Sequence, residues 1–480
     1  MNRESIIGKV LLKGKLVLCS PLLIGSGVQR EGSDVDTQIL RDKNGRPFIP
    51  GTSVAGVLRA AFSQEKAFPE MKALFFGGKV EKLDAEVQSA VDIDDIELEK
   101  TEIVQRDGVC IDNVRGVAED KKKYDYELVE RGAEGDFRAE ITLRGYHKEI
   151  LGDGLPAAVH RLAKGVAAGF RLGAMTAKGF GRVRVEGLAL DRYDFGNPAD
   201  AFAWLSEPRG KAADHDDEVK AEANDRPLTE SNLIIDADFA LVGSLLVKDA
   251  DVPADKKTED GSAIHAIMKK SRNAYLVPGP SVKGALRHHA DLILKRLGFQ
   301  EPKKFLNGLM GLDDEALKAA SKRKDEETLR QSRFFVDEVY IEPEAVKPFA
   351  QTRNRIDRFT GGTIGGALFT TEAVWGKGGK PVHIHFEIRD AEAADVGLSM
   401  LLLKDLSLGR VPLGGEKSIG RGVLEGVHAE IWYKPKQEEN QNSEIKVVIE
   451  NGKPVEGDTK ALQDCVDALA NMAKGMEATA

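Results

Sequence analysis

The chain has 480 residues, 41% of them hydrophobic and 31% charged, an ordinary globular balance that excludes wholesale disorder. Its formal net charge of −9 excludes a protein that coats nucleic acid by bulk charge alone. The acidity is uneven: Ser206–Leu228 holds seven acidic and four basic residues and Ile431–Ala480 nine and six, so the rest is near neutral and can carry local basic surfaces.

Apolar runs such as Leu16–Cys19 and Met400–Leu403 are too short to cross a bilayer, and Met1-Asn2-Arg3 leads straight into strand-like sequence. A cytoplasmic protein without a membrane partner is expected. Cys19, Cys110 and Cys465 are odd in number and far apart, which argues against a disulfide framework.

From the N-terminus, Val10, Leu12, Leu16 and Leu18 interleave with Lys13 and Lys15 as a strand. Pro50-Gly51 then opens a helix, with Val54, Val57, Leu58, Ala61 and Phe62 on one face and Thr52 or Ser53 as N-cap. A glycine-rich stretch, Gly173–Arg182, runs into the β-branched segment Arg182–Val185. Ser206–Pro227 lacks apolar periodicity and reads as a solvated linker. A second opening strand alternates Ile235, Ala237, Phe239 and Leu241 with Asp236, Asp238 and Ala240. Val382–Ile388 is a later strand with His383 and His385 on one face; no third ligand is in view, so a plain strand face is expected there. After the polar spacer Lys434–Ser443, Ile445–Glu450 and Pro454–Val455 flank the tight-turn pair Asn451-Gly452. A last helix is expected from Asp458 to Lys474, with Leu462, Cys465, Val466, Leu469 and Met472 on one stripe.

The chain repeats itself. Pro50-Gly51-Thr52-Ser53-Val54-Ala55-Gly56-Val57-Leu58-Arg59 matches Pro278-Gly279-Pro280-Ser281-Val282-Lys283-Gly284-Ala285-Leu286-Arg287 at Pro, Gly, Ser, Val, Gly, Leu and Arg. Leu172–Arg182 resembles Leu413–Arg421, pairing Lys178 with Lys417 and Arg182 with Arg421, and Ile111–Gly116 matches Ile356–Gly361 more weakly. Three matches in one order mean a duplicated domain. The strand and helix pattern of each copy fits an α+β, ferredoxin-like sandwich; no G-x-G-x-x-G follows the first strand. The expected division is residues 1–205, a charged linker 206–229, residues 230–433, and a spacer, hairpin and helix over 434–480.

A helix N-terminus offers unpaired N–H groups and partial positive charge to a phosphate. Ser53 and Ser281 add hydroxyls there, Arg59 follows a turn on, and Lys283 and Arg287 share one helix face. Simple capping with an exposed basic face fits the same residues. In the glycine-rich stretches, Lys178, Arg182, Lys417 and Arg421 stand where glycine lets backbone approach a sugar-phosphate chain; a flexible connection is the plainer alternative. Aromatic residues are only 6%, so RNA binding is expected to run through backbone contacts rather than stacking. Arg353-Asn354-Arg355 and Arg358, before Gly361-Gly362, suit either a solvated hairpin or one lying against nucleic acid.

Pro21-Leu22-Leu23-Ile24-Gly25-Ser26-Gly27, Val35–Asp42, Pro50–Gly56, Leu74-Phe75-Phe76-Gly77 and Gly173–Gly181 resemble the RAMP backbone subunits of type III CRISPR–Cas effector complexes. The resemblance spans residues 8–190 closely and 233–427 more loosely, and looks like the fused, two-domain subunit of type III-D-like systems. It implies two tandem modified RRM-like (ferredoxin-like) domains with hairpin thumb insertions. The implied partners are CRISPR RNA, target RNA and other subunits of the complex. It further implies that Asp36 cleaves target RNA with Mg²⁺ or another divalent cation, as both catalytic residue and metal ligand. Chemically, attack by a 2′-hydroxyl on its phosphate needs in-line geometry, a proton acceptor and charge neutralisation. A loop carboxylate can hold Mg²⁺ beside the phosphate.

The second repeat departs from the pattern: allowing a slip of about one residue, His265 replaces the aspartate, and imidazole is a poor Mg²⁺ ligand. That copy is expected to grip RNA without cutting, with Asp255 and Asp260 in the long loop upstream as the alternative carboxylates. In the first copy Ala55 stands where Lys283 stands in the second, so one phosphate contact is in doubt. A purely architectural subunit keeps every motif and treats Asp36 as a loop cap. A guide-precursor processing endoribonuclease has only His265 to suggest it.

Overall fold

The computed structural model describes residues 3–27, 35–62, 70–111, 118–206, 217–219, 231–249, 256–258, 261, 263–313, 316–318, 331–378, 380–435 and 444–475. The chain divides into two compact units: Met1–Thr176 with Phe180–Glu230, and Ser231–Ala480 with Ala177–Gly179.

In the first unit, β1 (Ile6–Leu18) is followed by α1 (Gly51–Ala61), β2 (Val91–Ile93), a hairpin of β3 (Ile103–Ile111) and β4 (Ala118–Val129), β5 (Glu134–Arg144), α2 (Leu155–Ala167) and β6 (Arg182–Asp194). The central antiparallel strands run β6-β1-β5-β2. That is the fourth-first-third-second order of a ferredoxin-like sandwich, with the long hairpin inserted between its second and third strands. Val10, Leu12, Leu16 and Leu18 are buried beneath the helices, as their alternation predicts. Leu11 is buried as well, so the other face of β1 is partly covered too. There the helix Pro198–Ser206 sets Trp204 edge-on to Tyr193, ring centroids 5.2 Å apart, and Lys9 over the indole.

The linker is only partly a solvated connection. Asp217–Glu218 pairs with β6 opposite Ala189 and Leu190, and Val219 is buried with its N–H on the Leu188 carbonyl, 2.8 Å. One apolar residue in a charged run was enough to seat an edge strand. Residues 207–216 and 220–230 lie outside the described residues.

The second unit repeats the order. It comprises β7 (Ser231–Val242), β8 (Ala266–Met268), α3 (Gly279–Leu297), β9 (Phe334–Val336), a hairpin of β10 (Val346–Arg353) and β11 (Phe369–Gly376), β12 (Val382–Arg389), α4 (Ala393–Ser407) and β13 (Val423–Tyr433). Its sheet runs β9-β12-β7-β13 and continues through β14 (Ile445–Glu450) and β15 (Lys453–Gly457). Asn451 and Gly452 both have positive φ, 48° and 75°, the turn that their dipeptide predicts. The last helix, α5 (Thr459–Ala473), is capped by Asp458, whose carboxylate accepts from the Lys460 and Ala461 amides. It buries Leu462, Cys465 and Leu469 and leaves Met472 exposed. Gly397 of α4 permits this packing, because a Cβ there would lie 2.3 Å from the Cys465 carbonyl oxygen. Among the described residues no helix is long and apolar enough to cross a membrane.

Candidate nucleic-acid interface

Asp36 lies in an exposed loop that is zipped onto the outer edge of β4. Thr37 forms a parallel bridge to Tyr126, its N–H bonding the Asp125 carbonyl at 3.1 Å. The Asp36 carboxylate accepts the Asp125 N–H at 2.9 Å, and Glu127 accepts from the Ile39 N–H and Arg41. Asp36 therefore closes a clasp between its loop and the hairpin. Around it lie Asp107, Asp125 and Lys123, whose ammonium is 3.0 Å from Asp107 and 3.8 Å from Asp125. A hydrogen bond with Asp107 holds the Asp125 carboxyl above its usual range, helped by partial desolvation and the charges of Asp107 and Asp36 against the pull of Lys123. None of these neighbours is signalled by sequence alone. Only the Tyr124-Asp125-Tyr126-Glu127 alternation hints that β4 points acids one way and rings the other.

The second unit has the same clasp built from other residues. Ala266 forms a parallel bridge to Thr371, and the His265 Nδ1 accepts the Thr370 N–H at 3.0 Å. His265 thus occupies the place of Asp36 and Thr370 that of Asp125. The backbone differs by one residue: His265 itself, rather than its successor, donates to the Thr370 carbonyl, 2.8 Å.

The glycine-rich loops also superpose bond for bond. Gly181 N–H meets the Pro21 carbonyl, Leu172 N–H the Gly181 carbonyl, and Ala174 N–H the Leu23 carbonyl; Gly422–Ser244, Leu413–Gly422 and Gly415–Leu246 repeat them. Gly173, Met175, Gly179 and Gly181 have positive φ, as do Gly414, Glu416, Gly420 and Gly422. A Cβ on Gly181 or Gly422 would stand 1.8 Å from the carbonyl oxygen of Leu172 or Leu413.

This geometry corrects the sequence match. The first halves of the two loops align as read, but the second halves shift by two residues. Arg182 corresponds to Val423, Arg421 to the buried Phe180, and Lys178 to Ile419, while Lys417 corresponds to Thr176. Arg421 is 2% exposed and points inward. It pairs with Glu416 at 3.0 Å and donates to Ser244 Oγ and Gln351 Oε1. Glu416 is also held by Arg353 and Lys248. In the first unit Phe180 is flanked by Tyr126 and by Arg106, which forms a buried pair with Glu130 at 3.1 Å.

The helix starts depart from expectation as well. Pro50 and Pro278 are the N-caps, with no side-chain cap bond from Thr52, Ser53 or Ser281. The first free amide of α1, Gly51 N–H, is taken by the Asp95 carboxylate at 2.8 Å, so that donor is already satisfied within the unit. Gly51 is required because a Cβ would lie 1.9 Å from the Ile93 carbonyl oxygen. The basic face expected on α3 is turned inward. Lys283 is 6% exposed and donates to Ser332 Oγ and the Phe334 carbonyl, and burial pushes its pKa well down. Arg287 donates to the Gly311 carbonyl and Asn307. Lys283, Arg287 and Arg421 therefore hold the second unit together and do not present charge to a ligand. Arg59, Arg182, Ser281 and Lys417 are exposed, and Ser53 and Lys178 half-buried.

Oxygen donors suit Mg²⁺, and Asp36 with Asp107 and Asp125 supplies them. Among the described residues, however, no three His, Cys, Asp or Glu side chains are arranged to hold a metal ion. Any ion at Asp36 would complete its shell with water and RNA. His383 and His385 do lie on one strand face, bonded to Asp238 and Asp236 of β7 at 2.9 and 2.8 Å.

Compared with known proteins, the chain is matched by the family model of the RAMP superfamily over residues 15–184 and again over 238–425, more than half its length. No curated protein matches it.

Proposed function

The chain belongs to the RAMP superfamily, twice over, and on that premise we propose that it is a guide-RNA-binding backbone subunit of a type III CRISPR effector complex in the cytoplasm, of the fused type III-D-like form, whose first unit cleaves guide-complementary target RNA. The observation that carries the reading is the duplicated clasp: two loops fastened alike to two long hairpins, the first closed by the Asp36 carboxylate and the second by the His265 imidazole. The hairpins are the thumbs that this reading requires, and the exposed Arg59, Arg182 and Lys417 are its backbone-phosphate contacts. Asp36 would hold a divalent cation, which supplies charge neutralisation at the scissile phosphate when bound. The chain's own task is to fix that carboxylate at the hairpin edge, through the Asp125 N–H, where a nucleotide bent by the thumb brings its 2′-hydroxyl in line. Cleavage forms the 2′-oxygen–phosphorus bond as the hydroxyl proton passes to water, and breaks the bond from phosphorus to the 5′-oxygen, which takes a proton from water.

Mapping of cleavage products with the assembled complex, a complementary RNA and Mg²⁺ tests this. Asp36→Ala is expected to slow one cut by about a hundredfold or more while assembly persists; an unchanged cut removes the nuclease assignment. A second reading, an architectural subunit without chemistry, is favoured by the clasp being closed in both units whatever the side chain. It stands if no Mg²⁺-dependent product of the wild-type complex maps to this subunit.

A further inference from the structure

We propose that His265 is a phosphodiester-binding residue, presenting a ring N–H to a backbone phosphate of bound RNA at the position where the first unit presents a carboxylate. The inference rests on the RNA-binding reading above and adds a residue and a polarity to it. An amide N–H can only donate, so the His265 Nδ1 that receives Thr370 N–H at 3.0 Å carries no proton. The ring proton is then on Nε2, the nitrogen that the clasp does not use. His265 is exposed, in a loop whose own backbone is tied to β11 through His265 N–H and the Ala266–Thr371 bridge. The donor is thereby fixed in direction, and its hydrogen is not used by the clasp.

Asp36 in the equivalent seat is acceptor-only. Beside a phosphate it needs a cation between the two anions, whereas Nε2–H bonds a phosphate oxygen directly. The same clasp thus serves opposite chemistry: the first unit's seat is cation-dependent, and the second unit's seat grips RNA without metal.

The test measures binding of the full chain to a fluorescein-labelled single-stranded RNA in EDTA, at fixed salt, for wild type, His265→Asn and His265→Asp. Both replacements can accept the Thr370 amide, as Asp36 accepts that of Asp125, so both keep the loop fastened. Asparagine keeps a donor, and its affinity is expected within about threefold of wild type; aspartate removes the donor and adds charge, and about tenfold is lost. Should His265→Asp fail to fold, His265→Ala replaces it, with a loss of about fivefold expected. Wild-type affinity in the donor-less variant overturns the inference while the RNA-binding reading stands, and so does an asparagine variant as weak as aspartate. A wild-type chain that binds no RNA overturns both.

Discussion

The two units share a backbone and differ in what fills it. Where the first places Phe180 against Tyr126 and Arg106, the second places Arg421 against Gln351, Ser244 and Glu416. Where the first lays the Tyr124 ring over Gly108, the second stacks Arg353 on Phe369, 4.9 Å from the ring centroid. The glycine loop is thus anchored by aromatic packing in one copy and by an ion-pair network in the other. A fold of this kind is specified by its hydrogen-bonded loops and tolerates opposite interior chemistries, provided each is internally satisfied.

The comparison is broken most severely at those anchors. Phe180→Ala should cost about 4 kcal/mol by leaving a cavity, and Arg421→Ala about 3 kcal/mol by stranding Glu416 among fewer partners. Hydrogen exchange should place the first loss in β1 and β6 and the second in β7 and β13; protection lost in both units from either change would contradict separate anchors. The exchange Arg421→Lys should recover little, because a lysine cannot fork between Ser244 and Gln351.

Acidity should separate the units by sign. In the first, His147 is buried between the Leu74 carbonyl and the Arg144 N–H, and burial pushes its pKa down to about 4. Its folded pKa lies below the unfolded value near 6.5, so the unfolded chain binds more protons between them. Stability is full above that window and falls by up to ~3 kcal/mol as the pH drops through it. In the second, bonds to Asp236 and Asp238 hold His383 up at about 9, against the opposing effect of burial. That contribution is full below the unfolded value and fades as the pH rises through about 9. Melting followed from pH 4 to pH 10, with His147→Leu and His383→Gln as controls, should show the first unit strengthening over the acid limb and the second weakening over the alkaline limb.

The smallest effect sharpens the likeness instead. Gly181→Ala and Gly422→Ala should each cost about 2 kcal/mol, since both sites combine positive φ with a carbonyl that a methyl would strike. Equal shifts in the two units are expected; a twofold disparity in cost would mean the loops are less alike than their bonds.

Duplication, the order of strands and helices, the Asn451-Gly452 turn and the Asp458 helix start were all legible in the sequence. Each is written in local chemistry: periodicity of apolar residues, proline and glycine at fixed offsets, a side chain that reaches its own backbone. So was the candidate pair Asp36 and His265, to within one residue. What the sequence misplaced was the partner of each charge. Lys283 and Arg421 look like ligands for an anion because lysine and arginine usually face water, yet each is satisfied by oxygens from segments about 50 to 180 residues away. The two-residue shift between Gly173–Arg182 and Gly414–Arg421 arose the same way, since matching letters favoured Arg with Arg while the carbonyls of Pro21 and Ser244 chose Gly181 and Gly422. Local signals fix which elements form; which polar atom meets which is decided only when distant strands pair, because only then does burial make an unmet charge costly.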